Sequence, residues 1–110
     1  MKLLCNLQDE VMAWVDYNFP GSTQGDTMPL LGVMKKVGQL SDSHIRTNEP
    51  HKHDPEKARE LKKASIGDIV IYLADYCNQQ GLDLDQCVEA RWVEVRARDW
   101  KAFPKNGLSE

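Results

Sequence analysis

Residues 65–77 read SIGDIVIYLADYC, and this stretch decides the fold. Its apolar side chains are distributed around nearly every side of a 3.6-residue helix, which is typical of a helix that is buried all round. Asp54 and Pro55 precede it with the chemistry of a helix start, and Gly81 follows it with that of a left-handed C-terminal cap. We therefore predict one long central helix over residues 54–80.

Three further helices are predicted around this central one. Apolar residues that recur at spacings of three and four predict a first helix over 3–17. Pro29 suits the first turn of a second helix, because its missing N–H would have no helical partner there. Asp83 and Gln86 resemble a capping box at the start of a fourth helix, whose end is predicted near Pro104.

The predicted fold is therefore all-α, with one helical domain over residues 1–110. Loops are expected at 18–28 and 47–53, and a short tail at 105–110. A chain of 110 residues builds one modest core, while a central helix that is apolar all round needs cover on every side. We expect a four-helix bundle that is completed by homo-oligomerisation, as a dimer or a tetramer.

Composition restricts the classes of function and partner. A formal net charge of −3 argues against a general nucleic-acid binder, and no apolar run approaches the length that spans a bilayer. The first residues are too short in their apolar part for a secretory signal. Cys5, Cys77 and Cys87 are too widely spaced to indicate a disulfide framework or a zinc site. A cytoplasmic protein with reduced thiols is expected.

Two segments, one helix apart, carry a pattern that points to a family. Residues 31–40 read LGVMKKVGQL, residues 65–73 read SIGDIVIYL, and the frame continues through 81–84 to the basic residues of 96–100. Over about residues 5–104 this frame resembles the MazG-like all-α nucleoside triphosphate pyrophosphohydrolases. In that family, Glu-Glu-x-x-Glu on one helix and Glu-x-x-Asp on the next hold magnesium against the triphosphate.

The acidic positions of the family pattern are mostly occupied by other residue types in this chain. They carry Lys35, Lys36, Gln39, Ser65 and Asp68, so that one carboxylate remains. Two exchanges to lysine and two to neutral residues make these positions about six charge units more positive than a complete family site. Because ammonium groups beside a single carboxylate repel a divalent cation, we predict a degenerate homologue that is catalytically weak or inactive.

The resemblance also assigns roles to individual residues. It implies that Asp68 is a metal ligand, that Tyr72 faces the nucleotide sugar and that Arg91 binds phosphate. Lys35 and Lys36 are candidates for replacing the metal electrostatically, by pairing with Asp68 or by holding a phosphate directly, since lysine binds phosphate as a point charge.

Three function classes are open at this point. The first is a non-catalytic module that binds nucleotide or another phosphate compound. The second is a helical oligomerisation or interaction protein, which could pair with an active paralogue. The third is an active magnesium-dependent hydrolase that converts a nucleoside triphosphate to its monophosphate and pyrophosphate. Its ligands would then lie outside the motif, with Asp42, Glu60 and Asp75 as candidates.

Other residue groups are weaker candidates for a site. The resemblance implies that Trp14 and Phe19 lie near the base pocket. His44, His51 and His53 lie in or near a polar connector, where an irregular backbone does not by itself bring metal ligands together. A solvated loop is the favoured interpretation of these histidines.

Overall fold

The computed structural model places four helices in the chain. It describes residues 3–21 and 27–109, and of Leu3 and Cys5 it describes the backbone alone; part of the predicted first loop, residues 22–26, lies outside these ranges. The described residues contain no β-strand, so the prediction of an all-α fold is confirmed. None of their helices combines the length and apolarity that a bilayer crossing needs. The helices are α1 (Leu3–Asn18), α2 (Met28–Thr47), α3 (Pro55–Gln80) and α4 (Leu84–Arg96).

Both ends of α3 have the caps that the sequence predicts. The side chain of Asp54 accepts a hydrogen bond from the backbone N–H of Glu56 at 2.9 Å. At the other end, Gly81 takes a left-handed conformation with φ 68°, which costs a glycine little. The Leu82 N–H then donates to the Cys77 carbonyl at 2.8 Å, which closes a Schellman motif.

The fourth helix begins as predicted and ends earlier. Asp83 accepts a hydrogen bond from the Gln86 N–H at 3.0 Å, as an N-cap does. The prediction that the helix runs to about Pro104 is wrong, because α4 ends at Arg96.

The chain after α4 folds back on itself. The Asp99 carboxylate accepts hydrogen bonds from the N–H groups of Lys101 and Ala102, at 3.1 and 2.9 Å, and so competes with a helical continuation. The Asp99 N–H donates to the Gly107 carbonyl at 2.7 Å. Gly107 is buried with φ 75°, and a Cβ there would lie 2.8 Å from that of Arg98. The return of the chain therefore requires a glycine.

Helix α3 is the centre of the fold. Each of the other helices packs against it, whereas α1 and α2 do not pack against each other within the described residues. One apolar cluster lies where α1, the second half of α3 and the start of α4 meet. Its buried members are Val11, Ala74, Cys77 and Leu84.

A buried amide, Gln8, joins α1 to the turn between α3 and α4. Its Nε2 donates to Asn78 Oδ1 at 2.9 Å and to the Leu82 carbonyl at 2.7 Å. Its Oε1 accepts from the Leu84 N–H at 2.9 Å, one of the helix N–H groups that has no partner within α4. Asn78 Nδ2 donates in return to the Gln8 carbonyl at 3.0 Å. This network fixes the position of α1 along α3.

The contact between α2 and α3 depends on Gly32. A Cβ at this position would lie 2.5 Å from Cε1 of the Tyr72 ring, so the ring lies directly against the α2 backbone. Farther along, Lys36 of α2 meets Asp68 of α3. The two helices therefore run antiparallel.

The isolated chain is more extended than a globular protein of its size. Its radius of gyration is 17.8 Å, against about 13 Å for a compact domain of this length. Its accessible surface of 8335 Å² exceeds the about 6,200 Å² of a typical monomer of this mass by roughly 2,100 Å². Ile66 and Ile71 of α3 are exposed, so the cover predicted around residues 65–77 is incomplete within one chain.

We predict opposite effects for two helix glycines. Gly32→Ala should lower the free energy of unfolding by about 1–3 kcal/mol, because the new methyl group displaces the Tyr72 ring. Gly67→Ala, in α3, should raise it by up to about 1 kcal/mol, since a Cβ there meets no atom within 4 Å and alanine favours the helix. Urea denaturation followed by circular dichroism measures both. Equal effects of the two substitutions would contradict the packing described for Tyr72.

Candidate functional site

A cleft of about 640 Å³ lies between α1 and α3, with α2 at its edge. We call it the aromatic cleft, because Trp14, Phe19 and Tyr72 line it. The rings of Trp14 and Phe19 meet edge to face, with centroids 5.8 Å apart and planes at 71°. The volume suits a small-molecule ligand. Its other apolar lining residues are Leu7, Val11, Val15 and Ile71.

Three predicted site residues meet at the α2 edge of the aromatic cleft. Lys36 Nζ lies 3.1 Å from Asp68 Oδ2 and donates a hydrogen bond to Gln39 Oε1, also at 3.1 Å. The side chain of Lys36 is 21% exposed and that of Asp68 42% exposed. The structure therefore brings Lys36, Gln39 and Asp68 together. The ammonium group is thus paired with one oxygen of the Asp68 carboxylate and with the Gln39 amide oxygen.

A second cleft, of about 580 Å³, adjoins the first along α2. We call it the lysine cleft, because Lys35 lines it. Phe19, Tyr72 and Asp75 line both clefts. The two lysines of the motif thus line neighbouring clefts, and the Tyr72 ring lines both.

Ser65 does not open onto either cleft. Its residue surface is 1% exposed, and its Oγ donates to the Leu61 carbonyl at 2.8 Å. A small hydroxyl with a partner in its own helix is well suited to the packed contact of α3 with α2. One of the five motif positions is thus a packing position in this chain.

Arg91 lies away from both clefts. It is on α4 and forms an ion pair with Glu94, one turn later. The groove that it lines is formed by residues of α4 itself, Cys87, Val88, Trp92 and Val95. The structure therefore does not bring Arg91 to the predicted phosphate site within one chain.

Two acids of the aromatic cleft change its charge. Glu10 and Asp75 line it beside Asp68. With Lys35 and Lys36, the two clefts have three carboxylates and two ammonium groups, a formal charge of −1. Glu10 and Asp75 lie outside the five motif positions. The positive charge inferred from those five positions therefore does not describe the clefts as a whole.

The alternative metal ligands are not grouped in one place. Asp42 pairs with Arg46 at 2.8 Å and Glu60 with Lys63 at 3.3 Å, both on exposed helix surfaces. Asp75 alone of the three candidates lines the clefts. In residues 3–21 and 27–109, no set of three His, Cys, Asp or Glu side chains is arranged to hold a metal ion.

The spacing of Glu10 and Asp75 along their helices indicates that they lie near other residues of the cleft. Glu10 precedes Trp14 by four residues, and Asp75 follows Asp68 by seven, so that each shares a helix face with a cleft residue. Asp75 was a candidate on this ground. Glu10 lies outside the apolar stripe that predicts the first helix, so that stripe does not reveal it.

The remaining candidates of the sequence lie outside the clefts. His51 is exposed, and His53 lies 3.8 Å from Glu49 in the connector after α2. Cys77 is part of the apolar cluster, where burial raises the pKa of its thiol and the neighbouring Cys87 and Asp83 raise it further. A protonated, buried thiol packs and does not react as a nucleophile.

A comparison of the chain with protein-family models, with curated proteins and with solved structures found no match. The resemblance to the MazG-like family rests on the residue patterns quoted above.

We predict that two acid-restoring substitutions differ strongly in their effect on stability. Ser65→Glu should lower the free energy of unfolding by about 3 kcal/mol or more, because it places a larger, charged side chain at a position that is 1% exposed. Gln39→Glu should change it by less than about 1 kcal/mol, since Lys36 is already within hydrogen-bonding distance. Urea denaturation measures both. A tolerated Ser65→Glu would contradict the packing role of Ser65.

Proposed function

We propose that the chain is a degenerate MazG-like protein that binds a nucleotide without a metal ion and has little or no pyrophosphohydrolase activity. The observation that supports this proposal is the pairing, in one cleft, of an aromatic wall with the Lys36 ammonium group. An aromatic base and a phosphate are the two chemical groups that such a pair recognises.

The base would lie on the aromatic side of the cleft. Stacking of a base on an aromatic side chain contributes about 1–3 kcal/mol, and it depends little on which base is bound. Trp14 and Phe19 are both more than half exposed in the isolated chain, so their surfaces are accessible to a ligand. A base inserted there would cover apolar surface that water now contacts.

The phosphate would bind at Lys36, with Lys35 in the neighbouring cleft. Lys36 would then exchange its contacts with Asp68 and Gln39 for phosphate oxygens. Glu10, Asp68 and Asp75 repel a highly charged ligand, and no metal offsets their charge in this proposal. We therefore infer that nucleosides and nucleoside monophosphates bind better than triphosphates.

The described residues do not fit the magnesium site of the family. Asp68 is engaged by Lys36, Gln39 replaces an acid and Ser65 is buried. Hydrolysis of a triphosphate by water depends on metal ions that neutralise developing charge, and this set of side chains supplies a single accessible carboxylate at the motif positions. No catalytic step is therefore assigned to the cleft.

Calorimetric titration in EDTA tests the binding proposal. A nucleoside monophosphate should bind, and Lys36→Ala should weaken it about tenfold, because a charged hydrogen bond is lost. The affinity for the matching nucleoside should change by less than about twofold, since it carries no phosphate. Lys63→Ala is the control, since Lys63 pairs with Glu60 outside both clefts.

Two results would contradict the proposal. One is the lack of any heat or thermal shift with a full panel of nucleosides and nucleotides. The other is magnesium-dependent release of pyrophosphate by the unmodified chain, which would restore the active hydrolase and give Asp75 and Glu10 a role as metal ligands.

We also propose that the chain is a homo-oligomer, a dimer or a tetramer. The excess of roughly 2,100 Å² of accessible surface supports this, because burial of half of it on each of two copies would form an interface of about 2,000 Å². That area is in the range of stable, obligate interfaces.

We expect light scattering coupled to size exclusion to give a mass of at least twice the 12.5 kDa of one chain. The mass should persist on dilution to micromolar concentration, as an obligate interface predicts. A stable 12.5 kDa species under the same conditions would contradict the proposal. Recovery only in a complex with another protein would instead favour the interaction-protein class.

A further inference from the structure

One side of α2 is apolar and points away from α3. We call it the outer face of α2 and define it as Leu30, Leu31, Met34, Val37, Gly38, Ser41 and Ile45, all of which are exposed. The opposite side of the helix, with Pro29, Gly32 and Ser43, packs against α3 or is buried. A helix with apolar residues on two opposite faces needs a second partner.

The outer face is uncharged and about four turns long. From Leu30 to Ile45 it extends over about 22 Å of helix. Met34 is 66% exposed at its middle, and Ile45 is 55% exposed at its end. Ser41 is the one side chain on it that carries a hydroxyl, and its Oγ already donates to the Val37 carbonyl at 3.0 Å. This polar group could therefore be covered without the loss of its hydrogen bond.

Apart from Leu31, whose symmetric position is His44, the residues of the outer face lie at positions that are symmetric about the Val37–Gly38 peptide. Leu30 and Ile45 lie equally far from it on either side, and so do Met34 and Ser41. In an antiparallel pair of such helices, the large Met34 lies opposite the small Ser41, and Val37 opposite Gly38. A Cβ on Gly38 would meet no atom within 4 Å, so the backbone there is open to close approach. A face of this kind is complementary to itself.

We propose that a second copy of the chain packs its α2 antiparallel across the outer face, about a two-fold axis near Gly38. The occupant is a second copy, because a two-fold axis pairs one patch with itself and the outer face is self-complementary. In addition, half of the excess accessible surface of each chain is enough to form the about 2,000 Å² interface of a stable dimer. This inference rests on the proposed homo-oligomeric state.

Charges at the border of the outer face fit the same arrangement. Lys35 and Asp42 lie on one edge of α2. In antiparallel pairs, equivalent edges of the two helices meet, which places Lys35 of one copy within about 3 Å, along the axis, of Asp42 in the other. Because of the two-fold symmetry, this pair of opposite charges occurs twice in the dimer.

The test uses two charge substitutions, Leu30→Lys and Ile45→Glu. Each alone should weaken the dimer at least 100-fold in sedimentation equilibrium, because symmetry places the buried charge at both ends of the interface. An equimolar mixture of the two variants should recover the dimer, since the introduced ammonium of one copy then lies opposite the introduced carboxylate of the other. In a parallel pair, mixing would relieve the repulsion of like charges but would leave the two introduced charges about 22 Å apart, so the mixed dimer would remain much weaker than that of the unmodified chain.

Val93→Glu is the control, because Val93 is 54% exposed on α4 and outside the outer face. It should leave the dimer affinity within about threefold of that of the unmodified chain, as is usual for surface substitutions. Circular dichroism verifies that each variant remains helical. Dissociation by Val93→Glu, unchanged dimers in both single variants, or a mixture that remains monomeric would each overturn the antiparallel α2 interface while leaving the oligomer proposal intact. An unmodified chain that is monomeric would overturn both.

Discussion

The contact of the Tyr72 ring with the α2 backbone at Gly32 sets the distance between α2 and α3. One turn farther along α2, Lys36 meets Asp68, and beyond it Ser65 is closed off from solvent. The same ring lines both clefts, so the packing of the helices and the shape of the candidate site depend on one glycine. A larger residue at position 32 would alter both at once.

The ion pair of Lys36 with Asp68 affects the chemistry of the cleft more than the stability of the fold. A pair that is partly exposed contributes little to folding, since solvent screens it and two side chains lose freedom. Its effect is on the ligand. The ammonium group forms an ion pair with the one carboxylate that remains at the motif positions. Glu10 and Asp75 add two further negative charges to the lining of the cleft. On this ground we propose that the cleft binds an aromatic ligand of low charge in preference to a metal-bound triphosphate.

The sequence predicted the features that depend on neighbouring residues. The caps of α3 and the start of α4 are local, because the side chain or glycine that makes each cap lies within a few residues of the groups it satisfies. Features that depend on tertiary contacts were missed. The role of Gln8 depends on residues about 70 positions away, and the 1% exposure of Ser65 is a property of the packed fold that its own segment does not reveal. The early end of α4 depends on a carboxylate that bonds to the backbone ahead of it, at Asp99.

The pairing of Lys36 with Asp68 is the central claim, since the proposal of a chain without metal-dependent hydrolase activity depends on it. Manganese broadens the amide signals of residues near its binding site in proton–nitrogen NMR spectra, and it accepts the same oxygen ligands as magnesium. We predict that titration with Mn²⁺ to millimolar concentration leaves the amide signals of Asp68 and Tyr72 no more broadened than those of the exposed helix surface around Glu60. Selective loss of the Asp68 and Tyr72 signals at micromolar Mn²⁺ would contradict the account.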